Sequence, residues 1–130
     1  MRTILITGAS GGLAQEMVKL LPDDQLILLG RNKEKLTQLY ENHPHTKLVE
    51  TDITDVQALE ELVVELYQRY GKIDVLINNA GYGIFEDFDK ISDQDIHQMF
   101  EVNTFALMNL SRLVASRMKE IRKGHIINIV

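Results

Sequence analysis

The sequence predicts an α/β fold, a doubly wound sheet of parallel strands with helices on both of its faces. Short apolar segments alternate along the 130 residues with segments of helical periodicity. Several of the short segments are apolar at every position, as strands covered on both faces are. A glycine-rich turn joins the first of them directly to a helix. Parallel strands connected by right-handed helical crossovers produce this architecture.

Five short apolar segments are predicted to be strands, with four helices between them. The strands are expected at residues 3–7, 25–29, 47–50, 73–77 and 125–130. The longest irregular stretch, residues 81–92, follows the carboxyl end of the fourth strand, where sheets of this kind bind ligands. A chain of this length suits one domain, which we expect to cover residues 1–130.

The first two predicted helices are short and apolar on one side only. Pro22 is expected to end the first helix, and the Asn32 side chain to cap the second. The residues expected to face the core are Leu13, Met17, Leu20 and Leu21 in the first helix and Leu36, Leu39 and Tyr40 in the second.

The last two predicted helices are longer and have clearer signals at their ends. Thr54 and Gln57 have the spacing of a capping box at the start of the third helix, and Gly71 follows its end. Ser92 is expected to cap the fourth helix, over residues 93–119. The expected core residues are Val56, Leu59, Val63, Leu66 and Tyr70 in the third helix and Ile96, Met99, Phe100, Leu107, Leu110 and Val114 in the fourth.

Composition narrows the classes of partner. The formal net charge of −5 argues against nucleic acid as the main partner, because phosphate backbones are bound by basic surfaces. The chain has no cysteine, which excludes disulfides and thiolate metal sites, and its four histidines show no spacing typical of metal ligands. No apolar run approaches the length of about 18 residues that a membrane-spanning helix needs. We therefore expect a cytoplasmic protein that binds neither a metal nor a membrane.

The glycine-rich turn predicts a phosphate-binding site. Its residues are Thr7-Gly8-Ala9-Ser10-Gly11-Gly12-Leu13-Ala14, between the first strand and the first helix. Small residues let a pyrophosphate approach the backbone, and the helix start offers unpaired N–H groups and the positive end of the helix dipole. The residues expected to contact the phosphates are Gly8, Ser10, Gly11, Gly12 and Leu13. The alternative is that the glycines only form a tight turn between strand and helix.

Four motifs in this order resemble those of the short-chain dehydrogenases/reductases. They are the Thr-Gly-x-x-x-Gly-x-small turn, Asp52 after the third strand, Asn78-Asn79-Ala80-Gly81 after the fourth strand, and Asn103 in the last helix. The resemblance extends from Arg2 to Val130 and implies a Rossmann fold that binds a nicotinamide dinucleotide. Most members have a third glycine where this chain has Ala14, which is small enough for the same close packing of helix on sheet.

The end of the second strand indicates which dinucleotide is bound. An acidic residue there would accept hydrogen bonds from a ribose 2′-hydroxyl and repel a 2′-phosphate. The sequence has Gly30-Arg31 instead, and an arginine can pair with a phosphate through charge-assisted hydrogen bonds. The resemblance, too, implies NADP(H) from this pair, with NAD the lesser expectation. The alternative is that Arg31 is a solvated side chain in a polar turn.

The resemblance assigns further residues to the cofactor. It implies that Asp52 bonds the adenine amino group and that the backbone of Ile53 contacts the ring. It also implies that Asn79, Ala80 and Gly81 lie close to the cofactor. The alternatives are that Asp52 turns the chain towards the third helix, and that the Asn-Asn-Ala-Gly run only stabilises the sheet.

Asn103 is the candidate catalytic residue. It lies on the apolar stripe of the fourth helix, at helical spacing from Met99 and Leu107, so we expect a buried amide with hydrogen-bond partners. The resemblance implies that this asparagine kinks the helix, holds a water and relays protons to an active-site lysine. The alternative is an asparagine of the core that holds the helix to the fourth strand.

The resemblance implies an oxidoreductase that interconverts an alcohol and a carbonyl, of which this chain is the cofactor-binding half. Members of the family carry a serine after the fifth strand and a Tyr-x-x-x-Lys motif farther on, and no such motif occurs in these 130 residues. We therefore expect this domain to be incomplete at its carboxyl end and inactive by itself. A non-catalytic dinucleotide-binding module, a sensor or scaffold, is the alternative. The apolar fifth strand and the long helix lead us to expect a homo-oligomer.

Overall fold

The fold is one sheet of five parallel strands, described for residues 1–129 by a computed structural model. The strands are β1 (Thr3–Ile6), β2 (Gln25–Gly30), β3 (Thr46–Glu50), β4 (Val75–Asn78) and β5 (His125–Asn128). Their order across the sheet is β3-β2-β1-β4-β5, and every neighbouring pair is parallel. The predicted fold class is confirmed. Val130, the predicted end of the fifth strand, lies outside the described residues.

The helices alternate with the strands as predicted, and the last of them is divided. They are α1 (Gly12–Lys19), α2 (Lys33–Tyr40), α3 (Val56–Tyr70), α4 (Asp93–Phe100) and α5 (Ala106–Ile121). Between α4 and α5 the chain forms one wide turn of π-helix, Glu101–Phe105. The predicted continuous helix over residues 93–119 is therefore wrong in its middle, because an extra residue is accommodated there.

The core has two layers, one on each face of the sheet. Leu5 of β1 faces α3 and α5, while its neighbours Ile4 and Ile6 face α1 and α2. All three side chains are buried. Successive side chains of a strand point to opposite faces, so a strand covered on both faces is apolar throughout. This is the reason why the continuous apolar runs predicted the central strands correctly.

Several of the predicted core positions on the helices are wrong. Leu13 and Leu20 of the α1 region are 51% and 79% exposed, and the buried residues of α1 are Ala14 and Val18. Leu39, Val56 and Phe100 are likewise exposed. The spacing of apolar residues indicates that a helix has an apolar stripe, but it does not show which part of that stripe a neighbouring element covers. Leu13 is exposed because it lies beyond the carboxyl end of β1, beside the open cleft described below.

Of the five predicted helix ends, Pro22 follows the end of α1 at Lys19, three others are confirmed and one is wrong. Asn32 and Ser92 cap α2 and α4, and Gly71 ends α3 with a φ of 78° in the left-handed region. The capping box of Thr54 and Gln57 does not form. Asp55 caps α3 instead, by accepting a hydrogen bond from the backbone N–H of Ala58 at 3.1 Å. An aspartate directly before the helix is an equally good cap, and sequence spacing alone does not choose between the two.

The edge strand β5 and the lengths of the helices bear on whether the chain could pair with a second copy or cross a membrane. In residues 1–129, β5 pairs with β4 alone, so it is an edge strand as predicted. The homo-oligomer expected from that edge stays a prediction. Within the same part of the chain, no helix combines the length and the apolarity that crossing a bilayer would require.

Two aspartates stabilise the amino-terminal edge of the sheet. Asp24 pairs with the guanidinium of Arg2 at 2.9 Å, and this hydrogen bond lowers the pKa of Asp24. Asp74 accepts from the backbone N–H of Thr3 at 2.7 Å and pairs with Lys72 at 3.0 Å. Burial raises the pKa of Asp74, but these two partners outweigh it, so its pKa lies below the usual value. Both carboxylates therefore stabilise the fold in their ionised form.

Acid is expected to destabilise the protein through these two groups. A carboxyl whose pKa is lowered by folding contributes stability above its unfolded pKa of about 3.9, and this contribution is lost as the pH falls through the folded pKa. The contribution of these two groups to the free energy of unfolding should therefore be level above about pH 5 and fall below about pH 4. Urea unfolding across this range should show a shallower fall for Asp74→Asn than for the wild type. The exposed neighbour variant Asp23→Asn should keep the wild-type slope, and an equal slope in Asp74→Asn would contradict the assignment.

Candidate functional site

A cleft of about 370 Å³ lies at the carboxyl ends of β1 to β4. The next strand along the chain, β2, pairs with one edge of β1, and β4 pairs with the other edge of β1. The cleft therefore lies at the point where the strand order reverses, the usual place of ligands in open α/β sheets.

The cleft brings together all the residues that the sequence predicted for a cofactor. Those lining it are Gly8, Ser10, Gly11, Gly12, Leu13, Arg31, Asp52, Ile53, Asn79, Ala80 and Gly81. Five further residues line the cleft that were not among the predicted cofactor-binding residues: Leu29, Gly30, Thr51, Tyr82 and Val102. The first three lie at or just after predicted strand ends, a signal that could have found them. Val102 belongs to the π-turn, which the sequence did not predict.

Gly8 begins the glycine-rich turn in a conformation that favours glycine. Its φ is 61°, and a Cβ built on it would lie 2.7 Å from the Cα of Ala80. The chain after β1 therefore passes in direct backbone contact with the chain after β4. Behind it, the N–H of Ala9 donates to the carbonyl of Leu29 at 2.9 Å, and the N–H of Gly11 returns to the carbonyl of Gly8 at 3.2 Å. The turn is thus held by β2, β4 and its own backbone.

The start of α1 presents free hydrogen-bond donors to the cleft. Gly11 is the residue before the helix and has no side chain to cap it, and the first turn contains no acidic residue. Within residues 1–129, no acceptor lies within hydrogen-bond reach of the N–H groups of Gly12 and Leu13. A Cβ on Gly12 would meet nothing within 4 Å. Unpaired donors beside open space, at the positive end of a helix dipole, fit a phosphate group.

Thr7 connects the end of β1 to the Asn-Asn-Ala-Gly segment. Its buried hydroxyl oxygen accepts from the backbone N–H groups of Asn79 at 3.0 Å and Ala80 at 2.9 Å. Asn79 adds a bond from its side-chain amide to the carbonyl of Gly8 at 3.2 Å. The Asn78 amide instead bonds Ser111 of α5 and Asn128 of β5, each at 2.9 Å. Asn78 thus holds the sheet together, whereas Asn79 and Ala80 line the cleft.

Arg31 and Asp52 lie at the same end of the cleft. Arg31 is exposed just after β2, and no residue in the described part of the chain forms an ion pair or hydrogen bond with its guanidinium. Asp52 accepts from the hydroxyl of Thr54 at 2.7 Å and from its backbone N–H at 2.9 Å. These bonds, and to a smaller extent the charge of Arg31, lower the pKa of Asp52. Asp52 therefore turns the chain towards α3, which was the alternative to a role at the cofactor, and it also lines the cleft.

Asn103 differs from the prediction in its burial. The residue is exposed, in the middle of the π-turn, and it does not line the cleft. Its side chain accepts from the N–H of Tyr82 at 2.9 Å and donates to the carbonyl of Tyr82 at 2.7 Å. The expected hydrogen bonds are present, and the helix departs from α-geometry here, as the resemblance implied. The prediction of burial is wrong because nothing in the described chain covers this stretch: no residue of α4 or of the π-turn is buried, and the buried stripe begins at Ala106 of α5.

A parallel sheet in this order, with a glycine-rich turn at its switch point, defines the Rossmann class of α/β proteins. Comparison with known proteins narrows that class. Residues 2–130 match the family model described as short chain dehydrogenase. An uncharacterised oxidoreductase of Staphylococcus saprophyticus is 32% identical over 132 residues, which cover 98% of this chain and 54% of that protein. The 3-ketodihydrosphingosine reductase of Bacteroides thetaiotaomicron is 30% identical over 126 residues, covering 97% of this chain and 45% of the reductase.

A solved structure agrees with these relatives. The crystal structure of a metagenomic short-chain oxidoreductase in complex with NADP has a TM-score of 0.91 and 26% identity to this chain, covering 98% of this chain and 61% of that one. The chain belongs to the short-chain dehydrogenase family of oxidoreductases. It spans about half the length of the curated relatives that it matches.

Proposed function

We propose that this chain is the cofactor-binding half of an NADP(H)-dependent oxidoreductase that interconverts an alcohol and a carbonyl. The observation that carries the proposal is the cleft itself. Among residues 1–129, it has unpaired backbone donors at one end and an arginine without an internal partner at the other. A dinucleotide phosphorylated on its adenine ribose has an anionic group for each of these positions: the diphosphate for the backbone donors and the 2′-phosphate for the arginine.

In this proposal, different residues of the cleft contact different parts of the dinucleotide. The turn from Gly8 to Leu13 holds the diphosphate at the head of α1. Asp52 and Ile53 hold the adenine, and Asn79 to Gly81 flank the adenine ribose. When bound, the nicotinamide ring supplies a hydride donor or acceptor. Tyr82 and Val102 also line the cleft.

Arg31 is the reason to propose NADP(H) rather than NAD. Its guanidinium has no partner in the described part of the chain, and a planar fork of N–H donors suits a 2′-phosphate. The neighbouring Lys33 is less available, because its ammonium donates to the carbonyl of Leu48 at 2.6 Å. The metagenomic relative in complex with NADP supports the same choice.

Asn103 acts in this proposal through the loop that it holds. Its two bonds to Tyr82 hold the start of the loop after β4 against the π-turn. Chemistry at an alcohol also needs an acid or base near the reacting oxygen. We propose that this group lies in the part of the family's length that the present chain does not span, since the chain covers 54% and 45% of two of its relatives.

Titration with NADPH and with NADH tests the proposal. The wild-type chain should bind NADPH more tightly, and Arg31→Ala should weaken NADPH binding by about tenfold or more, equivalent to about 1.4 kcal/mol, while NADH binding changes little. Cofactor fluorescence gives the dissociation constants. Lys35→Ala removes one positive charge from an exposed position on α2 outside the cleft, so it should leave both constants unchanged. Equal binding of the two cofactors, unchanged in Arg31→Ala, would overturn the choice of NADP(H), and absent binding would overturn the proposed function.

A further inference from the structure

A tyrosine of α2 supports the glycine-rich turn from behind. Tyr40, the last residue of α2, is 5% exposed, and its hydroxyl donates to the carbonyl oxygen of Ala9 at 2.5 Å. Ala9 is fully buried, and its N–H already donates to the carbonyl of Leu29. Both polar groups of the Ala9 backbone therefore have hydrogen-bond partners within the protein, one in α2 and one in β2. From the sequence, Tyr40 is predicted only to be a core residue of the second helix.

The bond to Ala9 has a consequence for the next residue. The carbonyl of Ala9 and the N–H of Ser10 belong to one peptide group, and in a trans peptide these two point in opposite directions. The described chain contains no cis peptide bond. When Tyr40 holds the carbonyl inward, the N–H of Ser10 must point outward from α2. Ser10 lines the cleft, and its N–H has no acceptor within residues 1–129.

We propose that Tyr40 is a positioning residue of the cofactor site. Its hydroxyl sets the orientation of the Ala9–Ser10 peptide, so that the N–H of Ser10 joins those of Gly12 and Leu13 as a donor to a dinucleotide's diphosphate. The inference rests on the proposed function, since it assigns a role towards the same cofactor.

The same helix also supports the other end of the site. Arg31 and Asn32 directly precede α2, and Asn32 caps it through the N–H of Lys35 at 3.1 Å. Leu36 packs against the end of β2, where a Cβ built on Gly30 would meet it at 3.1 Å. Burial raises the pKa of Tyr40, so its hydroxyl keeps its proton, and remains a donor, through neutral and mildly alkaline pH. Thus α2 carries Arg31 at one end and the support of the turn at the other.

The variant Tyr40→Phe tests this role, because it removes the hydroxyl and keeps the ring. Its affinity for NADPH should fall by about three- to tenfold, the effect of one misdirected hydrogen bond. Its affinity for adenosine 2′-monophosphate, which has the adenine and the 2′-phosphate but no diphosphate, should stay within about twofold of the wild type. Calorimetric titration gives both constants. A purely structural role would weaken the two ligands in parallel.

Tyr67→Phe is the matched control. Tyr67 is a half-buried tyrosine of α3, on the opposite face of the sheet, and its hydroxyl touches no part of the glycine-rich turn. Its replacement should leave NADPH binding unchanged, and an equal loss in both tyrosine variants would overturn the inference.

The outcomes separate the inference from the proposed function. A wild-type chain that binds no dinucleotide overturns both. Equal NADPH affinity in the wild type and Tyr40→Phe, or a parallel loss for NADPH and the monophosphate, overturns the role of Tyr40 alone. A second measurement needs no variant: in the ¹⁵N-labelled wild type, saturation with NADPH should shift the amide resonance of Ser10 together with those of Gly12 and Leu13. A Ser10 amide that stays unshifted while the other two move would overturn the inference.

Discussion

Gly8→Ala is expected to abolish dinucleotide binding and to lower the free energy of unfolding by about 2–4 kcal/mol. The added Cβ would lie 2.7 Å from the Cα and 2.9 Å from the N of Ala80, both backbone atoms that no side-chain rotation can move away. The φ of 61° adds the strain that a non-glycine residue has in the left-handed region. The turn and the segment after β4 must then separate, and both of them line the cleft.

Gly12→Ala is the matched control for this prediction. Gly12 belongs to the same turn, but its Cβ would point into open space, and alanine favours the helix that begins there. Its free energy of unfolding should equal that of the wild type or rise by up to about 1 kcal/mol. Urea unfolding without ligand compares the three proteins. A Gly8→Ala chain as stable as Gly12→Ala would show that the two backbones are not in contact.

The second large effect is expected for Thr7→Val, which should lower the free energy of unfolding by about 2–4 kcal/mol. Valine has nearly the shape of threonine, but it cannot accept the hydrogen bonds that the N–H groups of Asn79 and Ala80 now make. Two backbone donors would be left without a partner beside a residue that is only 1% exposed, and each such group costs about 1–3 kcal/mol.

Thr7→Ser separates the lost acceptor from lost packing. Serine keeps the oxygen and removes only a methyl group, so its loss should be about 1 kcal/mol, and NADPH affinity should be retained. Thermal and urea unfolding of the two variants, followed by NADPH titration, measure both effects. If Thr7→Val were no less stable than Thr7→Ser, the hydroxyl would not hold the Asn-Asn-Ala-Gly segment.

These two predictions concern contacts between residues that are far apart in the sequence. Thr7 and Gly8 meet Asn79 and Ala80 across about seventy positions, because β1 and β4 are neighbours in the sheet. From the sequence, Thr7 and Gly8 are predicted as parts of the phosphate-binding turn, and neither is predicted to contact the segment after the fourth strand. The role of each as a partner of the other segment follows from the strand order.

Several predictions from the sequence needed no tertiary information. The apolar runs predicted five strands, all of which form, and the Gly71, Asn32 and Ser92 signals predicted helix ends correctly. Each of these depends on a preference of the residue itself or of its nearest neighbours. The capping box at Thr54 failed because Asp55, one position on, satisfies the same helix end.

The sequence by itself determined the class of this protein: the alternation of strands and helices, the membership of the short-chain dehydrogenases, and most of the residues around one cleft. These properties depend on residue types at short spacings along the chain. Only the tertiary structure decided which side chains are covered, as the exposure of Leu13 and Asn103 shows, and which groups support the turn from behind, as Thr7 and Tyr40 do. Burial and support arise from neighbours that the chain brings together from distant positions, and local patterns carry no information about them.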